Sequence, residues 1–415
     1  EDTMGNIYTG IELGTDSVKV VVCEKVSDKY EVLASISRES NGIKNGEIID
    51  TKLAVRSVSS AISQINDMLD FNVTKAIVCV SPRDCHMTIC TGEVDVIDYN
   101  EIVGADVSNC LLAALKGKEF KEEELVTVTP INFHIDKKKE VSDPKGMKGA
   151  KLKSRVVIST VLKEPLYRVL EVLKLAGIEA VDIAYTSTGD YYSVKKKSLD
   201  NAVGAIINIG EETTNISVFN KGIQIKNGII PVGSYNVDKD ISYIFKISNH
   251  DARKLKEEFA VSKASYAYED EVMHITNGDG EVKDISQVGI SKVVEARTRE
   301  ILKLAKNEIK NLTNREIRYI IITGGLSELA GFQNVVDDEF GFIAKVAEIK
   351  TMGIRHNKFS SAYGIIQYFD DKLSLRGKSY NMVNKEDVTK MTSTDKDSTH
   401  NNNMISKVFS HFFDN

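Results

Sequence analysis

At 415 residues, with 42% hydrophobic and 27% charged content, the chain is long enough for two or more domains, each with a substantial core. A net charge of −6 argues against general nucleic-acid binding. Five cysteines (Cys23, Cys79, Cys85, Cys90 and Cys110) form no C-x-x-C pair and sit mostly in apolar runs, which reads as buried reduced thiols in a cytoplasmic protein. Nothing resembles a zinc site, no apolar run approaches the ~20 residues of a membrane-spanning helix, and no signal-peptide pattern opens the sequence.

In chain order, residues 7–22 read as a hairpin. An apolar strand breaks at Gly14, passes Thr15, Asp16 and Ser17, and resumes as a β-branched strand. A third strand is expected at 30–36. The Gly/Asn loop Asn41-Gly42-Ile43-Lys44-Asn45-Gly46 then leads to a short strand, an amphipathic helix at 51–69 and a buried strand at 75–81 that Pro82 ends. Residues 83–165 change character, with the charge runs 118–124 and 137–140 as solvated faces around a helix near 99–116 and strands near 125–136 and 155–162. A helix over 164–177 is closed by Gly177. A strand at 178–184 and a helix at 185–197 follow, with Lys195-Lys196-Lys197 at the helix's C-terminal end, where cations suit the dipole.

The stretch from Ile206 to Phe219 repeats the opening device: apolar strand, Gly210, then Glu211, Glu212, Thr213 and Thr214, and strand again. A glycine and hydroxyl residues at a turn can present N–H and O–H groups to phosphate oxygens. Either stretch alone could be an ordinary hairpin, but two of them half a chain apart suggest two similar halves facing one ligand. A third strand at 222–226, a helix beginning near Val237, a short helix at 249–260 capped by Asn249, polar strands over 266–285 with an Asn277-Gly278-Asp279-Gly280 turn, and a long helix at 287–311 come next. Tyr319 to Thr323 is a buried strand running into Gly324-Gly325, a pair that lets backbone approach a flat ligand or simply makes a β-to-α turn. A helix around Phe332–Phe340, a strand ending at Thr351–His356 and a small-residue helix at 360–369 complete the core. After Gly377 a polar stretch without aliphatic periodicity reads as a flexible linker.

Residues 404–415 differ from that stretch. At about 100° per residue, Met404, Ile405, Val408, Phe409, Phe412 and Phe413 share one face, while Ser406, Lys407, Ser410, His411 and Asp414 share the other. Such a tethered helix suits a lipid interface or a partner's groove, and docking back onto its own domain is a third use. One such helix binds weakly, so useful attachment needs many copies in an array.

The two glycine-turn hairpins, the double-glycine strand end and the inserted segments resemble the actin, Hsp70 and sugar-kinase superfamily. The loop Asn41–Gly46, the insertion at 83–165, Ile230-Pro231-Val232-Gly233, and Met352-Gly353-Ile354-Arg355 followed by Ser361-Ala362-Tyr363-Gly364 resemble, within it, the FtsA family of bacterial actin-like cell-division proteins. The resemblance implies an α/β fold of two ribonuclease H-like halves. Its parts would be a first core at 7–82 and 166–199, an inserted α+β subdomain at 83–165, a second core at 200–235 and 317–372, a small subdomain at 236–316, a linker at 373–403 and a membrane-targeting helix at 404–415. It implies ATP with Mg²⁺ between the halves: Gly14, Thr15, Asp16, Ser17 and Lys19 at the first phosphate loop, Gly210, Glu211, Thr213 and Thr214 at the second, Gly324, Gly325 and Leu326 at the adenosine, and Lys256 near ribose and base. Glu12 and Asn208 stand where the family usually has Asp residues that hold Mg²⁺ through water, Arg253 stands where it has Glu, and Ser234 replaces a glycine. Those changes imply weak or absent ATPase activity, with no residue identifiable as activating water. The implied partners are FtsZ, membrane lipid, further copies of the chain in filaments and other division proteins, at the cytoplasmic face of the membrane at the division site. A soluble sugar or acetate kinase, and a pilus-assembly scaffold that binds a membrane protein's cytoplasmic peptide, are the alternatives.

Overall fold

The computed structural model describes residues 5–383, apart from residues 70, 137, 138, 277 and 279. The chain divides into two compact units. One holds the described residues up to Ser193, Thr351–Ile354 and those from Ser361 onward; the other holds Val194–Lys350 and Arg355–Ser360.

The first unit opens with β1 (Asn6–Leu13), β2 (Ser17–Val26) and β3 (Lys29–Glu39), an antiparallel meander. Val18, Val20, Val21, Val22 and Cys23 are all buried, so β2 is covered on both faces, as an unbroken apolar run requires. The hairpin β4 (Ile43–Lys44) and β5 (Glu47–Ile48) turns through Asn45 and Gly46 at φ 51° and 76°, the conformation that Asn-Gly favours. Helix α1 (Thr51–Met68) starts where the Asp50 side chain accepts from Leu53 N–H, and it buries Ala54, Val58, Ala61, Ile62 and Ile65 against the sheet. Strand β6 (Lys75–Val80) then pairs parallel with β1.

The next segment builds its own sheet from β7 (His86–Asp95), helix α2 (Gly104–Ala113), β8 (Glu123–Ile135), β9 (Lys139–Val141) and β10 (Lys151–Leu162). Its strand order is β7-β10-β8-β9, and Val107, Cys110 and Leu111 of α2 share a separate core with Val128, Phe133, Leu152 and Val156. Strands β7 and β9 add to the two expected there. Both are edge strands, and β7 alternates too little between apolar and polar residues to show in sequence. Helix α3 (Lys163–Leu175) is followed by Gly177 at φ 81°, then β11 (Glu179–Tyr185) and α4 (Thr186–Ser193). The latter stops short of the expected 185–197, so Lys195, Lys196 and Lys197 lie beyond it, exposed, rather than on its last turn. The main sheet runs β11-β6-β1-β2-β3.

The second unit repeats this plan. It contains β12 (Val203–Ile209), β13 (Thr214–Asn220), β14 (Ile223–Ile230), α5 (Ser234–Phe245), α6 (Asn249–Glu258), β15 (Val272–Thr276), β16 (Val282–Ser286), α7 (Gln287–Leu312), β17 (Tyr319–Thr323), α8 (Phe332–Phe340) and β18 (Ala344–Val346). The sheet order β14-β13-β12-β17-β18 has three antiparallel strands followed by two parallel ones, as in the first unit. The cap of α6 is Ser248, whose hydroxyl accepts from Asp251 N–H, and not the expected Asn249, which is already helical. No strand reaches Thr351–His356: β18 ends at Val346, and Gly353 at φ 92° sits in a turn.

Helix α9 (Ser360–Leu375) is longer than the expected 360–369 and places Ile365, Ile366, Phe369 and Leu373 in the core. Its Asp370 gathers Tyr8 Oη at 3.0 Å, Lys25 Nζ at 2.6 Å and Tyr30 Oη at 2.6 Å, which fixes the helix to β1–β3. The linker does not begin at 373, nor after Gly377. Met382 N–H donates to Ile7 O, Asn381 Oδ1 accepts from Ile7 N–H, and Val383 joins the first unit's core. These backbone contacts need no aliphatic period, which is why the sequence does not announce them. The remaining linker, the membrane helix expected at 404–415, and Asn277 and Asp279 of the expected turn lie outside the described residues. Among the described residues no helix is long and apolar enough to cross a membrane.

Candidate functional site

In the first unit the turn between β1 and β2 spans Gly14–Ser17, closed by Gly14 N–H donating to Ser17 O at 3.1 Å. A Cβ at Gly14 would lie 2.8 Å from Ser17 O and 3.0 Å from Lys19 Nζ, so a side chain there would press on the backbone of the turn. Lys19 is buried and pairs with Glu12 Oε1 at 3.5 Å. The other carboxylate oxygen, Glu12 Oε2, is buried with no hydrogen-bond partner. The segment Ser40–Gly46 braces the turn: Gly46 N–H donates to Thr15 Oγ1 at 2.9 Å, and Ser40 N–H donates to Asp16 O at 2.9 Å. The sequence signal for that brace is the Asn45-Gly46 dipeptide.

The second unit carries the matching turn, Gly210–Thr213, between β12 and β13, with Gly210 N–H donating to Thr213 O at 3.0 Å. Helix α5 packs its N-terminus on it. Ser234 N–H donates to Gly210 O, Tyr235 N–H donates to Glu211 O, and a Cβ at Gly233 would meet Glu211 O at 2.4 Å. Thr214 is fully buried and its hydroxyl donates to Val232 O at 2.8 Å. It therefore anchors the Pro231-Val232-Gly233 segment rather than offering its hydroxyl outward, while Thr213 stays part-exposed in the turn.

The double glycine divides its work. Gly324 has φ 93°, and a Cβ there would lie 2.3 Å from Ile209 O and 2.8 Å from Asn208 Oδ1. Gly325 faces open space: a Cβ there would meet nothing within 4 Å. Leu326 packs its side chain into the second unit's core, so only its backbone is available beside the turn. The next residues are pinned by Ser327 Oγ donating to Gly324 O at 2.7 Å and Asn357 Nδ2 donating to Ser327 Oγ at 3.1 Å.

Lys256 is buried, with its ammonium 2.6 Å from Asp238 Oδ1. The helix α6 thus binds α5 through an ion pair in the interior, and the cation expected near a ribose is engaged there. One turn earlier on α6, Arg253 Nη2 lies 3.4 Å from Glu211 Oε1 of the glycine turn. No sequence rule marks that pair, because the two residues stand on separate elements.

Among the described residues no three His, Cys, Asp or Glu side chains gather as a metal site. The chemistry instead fits a phosphate ligand with any cation held through water: short glycine turns, a buried lysine, and a carboxylate oxygen with an unused lone pair. All five cysteines are free. Burial pushes the Cys85 thiol up to about 11 and that of Cys110 to about 12, so both stay protonated at neutral pH.

A family model described as cell division protein FtsA matches residues 205–364, and one described as the SHS2 domain inserted in FTSA matches residues 83–160; together they span more than half of the chain. The cell division protein FtsA of Bacillus subtilis (strain 168) is 28% identical over 375 residues, which cover 90% of this chain and 85% of that protein. Among solved structures, the PilM-PilN type IV pilus biogenesis complex aligns with TM-score 0.56 at 13% identity, covering 87% of this chain and 98% of the other. MreB5 of Spiroplasma citri bound to ADP aligns with TM-score 0.55 at 14% identity, covering 89% and 97%. These two likenesses establish the actin-like fold.

Proposed function

The chain belongs to the family of cell division protein FtsA, and from that premise we propose that it is an ATP-binding, filament-forming peripheral protein that tethers FtsZ to the cytoplasmic face of the membrane at the division site. The observation that carries the nucleotide part is the repeated turn. Gly14 to Ser17 and Gly210 to Thr213 are closed by the same hydrogen bond between the same two strands of two like sheets. Turns of that kind bind phosphate through backbone N–H groups. The ADP bound to MreB5 of Spiroplasma citri supports the same ligand class. Gly324 and Gly325 would receive the adenosine, and Glu12 and Asn208 would hold Mg²⁺ through water. Glu12 is one methylene longer than aspartate and Asn208 is uncharged, so hydrolysis is expected to be slow. A turnover above about 1 s⁻¹ would contradict that reading.

The membrane part rests on residues 404–415, whose apolar residues Met404, Ile405, Val408, Phe409, Phe412 and Phe413 share one helical face. Filaments supply the avidity that one short helix lacks, and other division proteins are expected on the same filament. The test is co-sedimentation with liposomes, comparing the full chain with a chain ending at Asn403. Only the full chain should pellet, and both should bind FtsZ. If neither pellets under conditions that permit assembly, the lipid reading falls. The alternative is then a pilus-assembly scaffold that binds a membrane protein's cytoplasmic peptide.

A further inference from the structure

The glycine turn of the second unit is acidic. Glu211 and Glu212 sit side by side within Gly210–Thr213, and a phosphate group approaching it meets like charge unless a cation intervenes. Asn208, two residues earlier on β12, is a neutral amide and holds a hydrated metal less firmly than a carboxylate would. The nearby cation is Arg253. Its Nη2 lies 3.4 Å from Glu211 Oε1 and its Nε lies 3.4 Å from Glu257 Oε1 on the same helix. The guanidinium is 36% exposed and the Glu211 side chain 17%. With the guanidinium side open to solvent and a separation of 3.4 Å, the pair is a loose one. A phosphate offers a guanidinium two-pronged, charge-assisted hydrogen bonding of its own.

We propose that Arg253 is a phosphate-binding residue for nucleotide held at the Gly210–Thr213 turn, kept in reserve by Glu211 in the absence of ligand. It supplies to the phosphates part of the positive charge that Mg²⁺ would otherwise bring, so binding depends little on the metal. This rests on the nucleotide reading above.

The experiment measures binding of ATP and of adenosine, each with Mg²⁺ and with EDTA, to the full chain and to its Arg253→Gln and Glu211→Gln variants. The full chain should keep its ATP affinity in EDTA to within roughly tenfold of that in Mg²⁺. Arg253→Gln should weaken ATP in EDTA by roughly ten- to a hundredfold, the loss of one charge-assisted contact, and leave adenosine unchanged. Glu211→Gln should tighten ATP, because the competing carboxylate is gone; a merely structural pair would give no gain. If Arg253→Gln leaves ATP binding intact, or weakens ATP and adenosine alike, Arg253 is no phosphate ligand although the nucleotide reading stands. If the full chain binds neither compound, the nucleotide reading falls and this inference with it.

Discussion

Glu12 of β1 and Lys19 of β2 stand opposite each other across an antiparallel pair, their charged ends 3.5 Å apart, and the corresponding pair in the second unit is Asn208 opposite Asn215. Each first member lies two residues before the turn glycine, and each second member two residues after the turn's last residue. The duplication is therefore kept in backbone register while the charge is kept in only one copy. Glu12 Oε2 and Asn215 Oδ1 are both buried without a hydrogen-bond partner, a costly state that a bound ligand or its water would relieve.

Asn208→Asp should restore the missing carboxylate and with it metal dependence. Next to phosphate, a new negative charge should weaken ATP binding in EDTA by roughly tenfold, and Mg²⁺ should recover the loss. Titration of the variant with ATP under both conditions checks this. Equal affinity in EDTA for variant and parent would mean that Asn208 does not face the phosphates.

Gly324→Ala should destabilise the second unit. Its φ of 93° is strained for any side chain, and the added Cβ would lie 2.3 Å from Ile209 O on the neighbouring strand. We expect a loss of about 2–4 kcal/mol from strain and overlap combined. Gly325→Ala is the control: its Cβ meets nothing within 4 Å. Its cost should stay near 0.5 kcal/mol or below by urea denaturation. Equal costs for the two would contradict the division of roles between these glycines.

Much of this fold is legible in sequence because both five-stranded sheets are built from apolar runs interrupted by glycine turns. The hairpins about Gly14 and Gly210 and the turn at Gly324 are all of that kind. Edge strand β7 escapes because one solvated face and one thinly covered face give no clean alternation. Site residues divide along the same line. Gly324 is legible because its backbone geometry demands glycine, and Gly14 and Gly210 because each breaks an apolar run at a turn. The anchoring of Thr214 on Val232, the pairing of Lys256 with Asp238, and the reach of Arg253 to Glu211 depend on which elements pack together, and residue type does not encode that.

Asp182 is fully buried on β11, and Lys372 of α9 reaches it with Nζ 2.9 Å from Oδ2. Burial raises the Asp182 carboxyl above its usual range, and the Lys372 ammonium draws it part of the way back. With a folded value above the unfolded one, the group's contribution is fully present below the unfolded value near ~4 and is lost as pH rises through the folded value. Lys372→Met removes the compensation, so its cost should grow with pH. We expect about 3–5 kcal/mol at neutral pH, where an uncompensated carboxylate is buried, and less once Asp182 is protonated. Urea denaturation at about pH 5 and about pH 8 checks this. A cost independent of pH would show that the pair matters only as packing.

The segment after α9 gives the last prediction. Met382 and Val383 are 3% and 7% exposed, Met382 N–H donates to Ile7 O, and the Asn381 side chain accepts from Ile7 N–H at 3.1 Å. The segment therefore covers the start of β1, which would otherwise present polar backbone groups and apolar side chains to water. A chain ending at Gly377 loses these contacts, whereas one ending at Asn403 keeps them. The first should be less stable than the full chain by about 2–4 kcal/mol, from two buried apolar side chains and the hydrogen bonds at Ile7. The second should match the full chain. Thermal denaturation of the three chains decides the matter: if the chain ending at Gly377 melts with the others, residues 378–383 contribute nothing to the first unit's core.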